Sequence, residues 1–260
     1  MLQKILISLF SIITFSLTQD CEPGFTEIND LCFHSGDLSV LQKMIDNSYE
    51  SGIDLGCSDG DSYCGSPNPY MGSSGAWFWV TVDSVYYEWT GDDNGVVDPL
   101  ELGIQEWNNG RLTGIMCGAY IYCQLSGPIP EEIGTLTEAT TLRFEYNYFS
   151  GFVPNTLCDL DIENENYLEF DFSGNRLCPP YPECLALGEF WYQDSSECTE
   201  IGDVNFDYTI NIQDVILLVS FIVDLTSFSN QQFIAADINF DEQLNVLDVI
   251  GVVDIILQID

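Results

Sequence analysis

Asp203-Val204-Asn205-Phe206-Asp207-Tyr208-Thr209-Ile210-Asn211-Ile212-Gln213-Asp214 returns 34 residues later as Asp237-Ile238-Asn239-Phe240-Asp241-Glu242-Gln243-Leu244-Asn245-Val246-Leu247-Asp248. Oxygen-bearing side chains recur at positions 1, 3, 5, 9 and 12 of a twelve-residue frame, and apolar residues recur at positions 8 and 10. Each copy runs straight into a helical pattern, Asp214 to about Asp224 and Asp248 to about Leu257. A hard cation such as Ca²⁺ takes about six to eight oxygen ligands, and this spacing wraps them around one point, with the position-7 carbonyl completing the ring. Two copies that agree in ligands, apolar positions and following helix are a far more specific signal than an acidic surface run.

The double loop-helix resembles a type I dockerin, a calcium-folded module of two half-EF-hands, over residues 202–258. The resemblance implies one ligand set of Asp203, Asn205, Asp207, Thr209 (backbone), Asn211 and Asp214. A second set is Asp237, Asn239, Asp241, Gln243 (backbone), Asn245 and Asp248, so two Ca²⁺ ions are expected. It also implies a cohesin-like protein partner. Two departures stand out. Position 6 is Tyr208 or Glu242 where an EF-hand has Gly, so a non-Gly residue must accept a turn that favours Gly. After Asn211 and Asn245 come Ile-Gln and Val-Leu, where many cellulosomal dockerins carry Ser-Thr. No Lys or Arg follows Arg176, so the module's carboxylates have no cation of their own. Bound Ca²⁺ would supply it, and folding is expected to depend on the metal.

Upstream, Leu125-Ser126-Gly127-Pro128-Ile129-Pro130-Glu131-Glu132-Ile133-Gly134-Thr135-Leu136 is echoed by Phe149-Ser150-Gly151-Phe152-Val153-Pro154-Asn155-Thr156-Leu157-Cys158-Asp159-Leu160. Cys123, Asn147 and Asn175 stand two residues before Leu125, Phe149 and Leu177. This resembles the plant-type leucine-rich repeat, in which an Asn or Cys bonds the turn backbone. Stacked repeats need capped ends. The amphipathic stretch Asp37 to Ile45, then Trp107 to Thr113 and Cys117, resembles the N-terminal cap of such proteins, and Leu177 to Cys184 a disulfide-held C-terminal cap. The row of side chains between core positions is Thr141, Arg143, Glu145, Glu169, Asp171 and Ser173, a candidate partner-binding face.

Between the cap helix and Trp107, residues 77–89 alternate in aromatic and β-branched residues about Asp83-Ser84, predicting a hairpin whose aromatics could stack on sugar rings. Asp92-Asp93-Asn94-Gly95 with Asp98 and Glu101 form a further oxygen cluster that could hold another calcium, although its spacing does not fit the twelve-residue loop. The fold class expected is α+β: a short capped leucine-rich repeat solenoid with an inserted hairpin, then a small α-helical dockerin-like domain.

Composition bounds the function. The chain has 260 residues, a net charge of −37 and five basic residues, which excludes nucleic acid or an anionic membrane as an electrostatic partner. Residues 1–19 read as a signal peptide, with Lys4 before the apolar run Ile5 to Leu17. The ten cysteines suit an oxidising exterior. Local pairs are expected, Cys21 with Cys32, Cys57 with Cys64 and Cys117 with Cys123; Cys158, Cys178, Cys184 and Cys198 form two bonds of open connectivity. With only His34 and no CxxC pair, zinc is not expected, and no nucleophile, phosphate-loop or metalloprotease motif is present. The segments are read as 20–110, a disulfide-bonded cap region carrying the aromatic hairpin; 111–198, repeats and C-terminal cap; and 199–260, the calcium module. Leu217 and Phe221, apolar on a second side of the first helix, are assigned to contact with a protein partner or with the chain's own repeat domain. The function expected is non-catalytic, calcium-dependent protein binding outside the cell. The alternative is an accessory part of a polysaccharide-degrading complex that binds carbohydrate.

Overall fold

The computed structural model describes residues 21–258 apart from 119, 164, 180, 186–191, 197, 199, 208 and 242. The expected signal segment and the two position-6 residues, Tyr208 and Glu242, lie outside the described residues.

The chain starts with a hairpin, β1 (Phe25–Ile28) and β2 (Leu31–His34), and continues directly into α1 (Ser35–Glu50). His34 caps this helix, its Nδ1 accepting from Asp37 N–H at 3.3 Å, so the only histidine is a helix cap. Leu38, Val40, Leu41, Met44 and Ile45 recur on one face of α1 and are buried together with Phe33 and Trp107. Asp37 is buried too, and tolerably so, because Arg111 donates to both its oxygens from Nε (2.7 Å) and Nη2 (3.0 Å) and Leu112 N–H donates at 2.9 Å.

The aromatic segment forms β3 (Phe78–Val82) and β4 (Val85–Trp89), joined by Asp83 and Ser84 with φ of 50° and 68°, the left-handed pair that a two-residue hairpin turn requires. β5 (Ile104–Asn108) and β6 (Arg111–Met116) follow, then β8 (Thr141–Arg143) and β10 (Phe170–Asp171). These six strands make one sheet in the order β10-β8-β6-β5-β3-β4, so the hairpin extends the sheet of β6, β8 and β10 instead of standing apart from it. On the opposite side, β7 (Ser126–Gly127), β9 (Tyr148–Phe152) and β11 (Arg176–Cys178) pair in parallel.

Between the two sheets lies a core of Leu125, Ile133, Leu142, Leu157 and Leu177 with the rings of Phe144, Phe149, Phe170 and Phe172 in mutual contact. A buried asparagine ladder fixes the stacking. Asn147 Nδ2 donates to the carbonyls of Cys117 (2.7 Å) and Phe144 (2.9 Å), and its Oδ1 accepts from Leu125 N–H. Asn175 repeats the pattern one coil later with Phe144, Phe172 and Phe149. Gln193 supplies a third rung, donating to Phe172 O and accepting from Leu177 N–H. Cys123 does not share this role; its sulfur is tied to Cys117.

The local disulfides form as expected. Cys21 is bonded to Cys32, which ties the N-terminal residues to β2; Cys57 is bonded to Cys64, which closes the Gly- and Ser-rich loop after α1; and Cys117 is bonded to Cys123. The connectivity left open by the sequence is Cys158 to Cys184 and Cys178 to Cys198. The C-terminal region contains α2 (Ile212–Ile222), α3 (Asn230–Ala236) and α4 (Val246–Gln258) around a small core of Val204, Val215, Leu218, Ala236 and Val252. The helices after the two loops were anticipated; α3 was not. Among the described residues, no helix is long and apolar enough to cross a membrane.

Candidate metal centre

The described residues of 203–214 and 237–248 fold into loops that share nearly all of their side-chain to backbone bonds. In the first, Asp207 N–H donates to Asp203 Oδ1 (3.1 Å) and Asn205 Oδ1 (2.8 Å), and Thr209 N–H to Asp207 Oδ1 (3.0 Å). In the second, Asp241 N–H donates to Asp237 Oδ1 (3.2 Å) and Asn239 Oδ1 (3.1 Å), and Gln243 N–H to Asp241 Oδ1 (2.9 Å). The position-12 carboxylates close the loops. Asp214 accepts from Val204 N–H (2.8 Å) and Asn205 N–H (3.1 Å) on Oδ1 and from Asn211 N–H (2.8 Å) on Oδ2. Asp248 accepts from Ile238 N–H (3.0 Å) and Asn245 N–H (2.8 Å) in the same manner. Asp203, Asp214, Asp237 and Asp248 are all buried.

Positions 1, 3, 5 and 12 are thus gathered in each loop, and the donor set is oxygen only, which suits a hard cation and excludes one that prefers sulfur or imidazole. Position 9 does something else. Asn211 and Asn245 cap α2 and α4 through Oδ1, accepting from Gln213 N–H (2.8 Å) and Leu247 N–H (2.9 Å). Their amides donate to the position-7 carbonyls of Thr209 (2.9 Å) and Gln243 (3.1 Å), which orients those carbonyls. The left-handed residue among those described is position 4, Phe206 at φ 61° and Phe240 at φ 56°, which the sequence pattern did not reveal. No basic residue lies beyond Arg176, so the buried carboxylates have no counter-charge within the module.

The predicted partner residues divide into two groups. Arg143 and Glu145 sit side by side on the sheet face, Nη2 2.5 Å from Oε1, and Glu145 is buried under Gly118, where an added Cβ would collide with its carboxylate. Glu169, Asp171 and Ser173 line the same face, and Asp171 Oδ1 accepts from Ser173 N–H. Leu217 and Phe221 lie elsewhere, inside the module: Leu217 packs on its core and Phe221 stacks on Phe228 at 4.4 Å. The exposed apolar positions are Ile212 and Ile216 on α2, Val223 just after it, and their equivalents Val246, Ile250 and Leu257 on α4.

A further loop was missed by starting its count at Asp92. Numbered from Thr90, residues 90–101 place Asp92, Asn94, Gly95, Val97, Asp98 and Glu101 at positions 3, 5, 6, 8, 9 and 12 of an EF-hand frame, with Thr at position 1. Glu101 accepts from Asp92 N–H (3.1 Å) and Asp98 N–H (2.9 Å), as position 12 does in the other loops. Carboxylate oxygens of Asp92, Asp98 and Glu101 lie within 4.8 Å of one another. Burial, and then the charges of Asp98 and Asp92, push the Glu101 carboxyl up, while the two N–H bonds pull it down.

Two oxygen-lined loops, each opening onto a helix and packed back to back through those helices, define a paired half-EF-hand calcium module. The model of the dockerin type I domain matches residues 201–256, so this C-terminal region is similar to the type I dockerins, a family of calcium-binding modules that dock onto cohesins. No match was found among curated proteins.

Proposed function

We propose that this chain is an exported, non-catalytic adaptor: its dockerin module fastens it, in the presence of two calcium ions, to a cohesin-type protein, while the remaining residues present a recognition face. The observation that carries this reading is the near-complete equivalence in bonding of the loops closed by Asp214 and Asp248. Calcium would be held by Asp203, Asn205, Asp207, the Thr209 carbonyl and Asp214, and by Asp237, Asn239, Asp241, the Gln243 carbonyl and Asp248. It would neutralise buried carboxylates and fix α2 and α4 relative to each other. The exposed apolar row of Ile212, Ile216, Val246 and Ile250 is then rigid, and burying it against a partner is the driving force for docking. We read the stacked coils as a short leucine-rich repeat solenoid, supported by the parallel strands of both sheets and the ladder of Asn147 and Asn175. Binding to a panel of type I cohesins in calcium and in EDTA tests the proposal. Calcium-dependent capture is expected, and no capture by any cohesin in calcium counts against it.

A second reading is favoured by one observation. Trp77 (60% exposed), Trp79 and Tyr86 (73% exposed) are in edge contact at the outer hairpin, at ring distances of 5.7 and 6.4 Å. Solvent-facing rings beside hydroxyl and carboxylate side chains suit a neutral glycan, and the chain's charge disfavours an anionic one. Retention on insoluble neutral polysaccharide that Trp79→Ala abolishes would support it.

A further inference from the structure

The two halves of the dockerin module are equivalent in their loops and unequal in their surroundings. Position 4 is a phenylalanine in the left-handed conformation in both, yet Phe240 is 58% exposed while Phe206 packs against the cluster of Phe152, Cys178, Ala235 and Ile234. Phe152 ends β9 and Cys178 ends β11, two strands of the back sheet of coils. α3 lies on this end. Its Ala235 is fully buried there and accepts from Gly202 N–H at 2.8 Å. Gln231 reaches so close to β9 that a Cβ at Gly151 would collide with its amide nitrogen. α3 is in turn gripped by both loops: Gln232 Nε2 donates to Val204 O in the first, and the first residue of the second, Asp237, donates its N–H to Phe233 O.

We propose that the module docks in cis as a calcium-controlled cover of the coils, with Phe206 and α3 over an apolar patch where β9 and β11 end, which otherwise meets water. This rests on the loops binding calcium. The reasoning is mechanical. Phe206 lies between position 3, Asn205, and position 5, Asp207, so its direction is fixed when those ligands are drawn to one ion. α3 ends on the first ligand of the second loop, so its C-terminal end is fixed by the other ion. Without the ions, the crowded carboxylates separate and both contacts lose their anchor. An apolar patch left uncovered loses local protection against opening. The disulfide from Cys178 to Cys198 tethers the module in either state, so uncapping needs no dissociation. The cis contact leaves the outward row of α2 and α4 free, so a single calcium-dependent folding step both covers the coils and readies the partner face. Because coupling is reciprocal, the covered patch must also raise calcium affinity at the first loop.

The test is hydrogen–deuterium exchange of the whole disulfide-intact chain, read in peptides spanning 148–152 and 176–178, with calcium titration of the same samples. In the wild type, chelation is expected to accelerate exchange in both peptides about tenfold. Phe206→Ala should do so with calcium present and weaken one of the two ions about fivefold, whereas its twin Phe240→Ala should do neither. If calcium does not bind at all, the metal reading itself fails. If calcium binds but wild-type exchange in these peptides is indifferent to it, or if the two phenylalanine variants behave alike, the capping proposal is overturned.

Discussion

Asp214→Asn isolates the carboxylate that closes the first loop while keeping its volume. In the wild type its two oxygens accept three backbone N–H groups, from Val204, Asn205 and Asn211, and the side chain is fully buried. The asparagine carbonyl can still serve Val204 and Asn205, but the amide then meets Asn211 N–H, donor against donor. One buried N–H is left unpaired, a loss of about 1–3 kcal/mol. The variant also removes a full negative charge from the set expected to hold the ion. The first term alone corresponds to about 5- to 150-fold in affinity. The unaltered loop around Asp248 is the internal control, because its bonds to Ile238 and Asn245 involve none of the same atoms. Isothermal titration should then resolve one ion near its original affinity and one weakened at least about tenfold. Far-ultraviolet circular dichroism should reach the wild-type helical signal only at higher free calcium. An isotherm indistinguishable from the wild type would refute the assignment of position 12 as the closing ligand.

Chelation of the whole chain should abolish the helical signal of α2 and α4 and leave the near-ultraviolet signal of the buried Trp107 region in place. In EDTA, about 1 M NaCl, whose screening length is about 3 Å, should restore little of that helicity, because diffuse screening does not reach the buried Asp203, Asp214 and Asp248. Recovery by salt alone would contradict a specific ion. Asp37→Asn weakens the two-pronged Arg111 contact and leaves that guanidinium poorly paired beside the core. A loss of about 3–5 kcal/mol is expected in thermal or denaturant unfolding. Asn147→Ala removes the side-chain partner of the Cys117 carbonyl and the Leu125 N–H, while the Phe144 carbonyl keeps Asn175, for a loss of several kcal/mol at about 1–3 kcal/mol for each buried group, readable in denaturant melts with the disulfides intact.

What was legible in the chain followed periodicity. The loops, the helices α2 and α4, the hairpin turn at Asp83-Ser84 and the asparagine rungs at 147 and 175 all obey spacings that repeat, and a repeat advertises itself. Close spacing was as informative for the disulfides of Cys32 and Cys64, each bonded to the cysteine just before it, whereas the last four cysteines interleave and their order could not be read. The missed features have no period. α3 is seven residues long, and its capping box of Ser229 and Gln232 is too short a signal to stand out. Gln193 bonds the backbone as an asparagine rung does, but it comes 18 residues after Asn175 instead of 24 or 28, and with a longer side chain. The 90–101 loop was hidden by one substitution: Thr90 stands where the frame begins, so counting from the first acid, Asp92, shifts every position by two. The inward packing of Leu217 and Phe221 was hidden for a related reason. A helix apolar on several sides has more than one candidate outer face, and only the position of α3, with the Phe228 ring over Phe221, decides which side is covered.

The allocation of positive charge ties these features together. Five basic residues serve 42 acidic ones, and three of the five are committed within the coil region. Arg111 neutralises Asp37 beneath the cap helix, Arg143 pairs with Glu145, and Arg176 lies over the Tyr148 ring at 5.6 Å. Each sits upstream of the module, in a part of the chain whose acids are mostly exposed and can be left to solvent. The module buries four aspartates and contains no cation at all. Burying a carboxylate with no counter-charge of opposite sign is costly even when backbone N–H groups bond it, and the core beside these four is small. The same backbone N–H groups that hold Asp214 and Asp248 supply only partial charge. On the proposed reading a divalent ion in each loop would supply the remainder, so that the module's fold and its occupancy would form one equilibrium, coupled to the coil region only at Phe206 and α3.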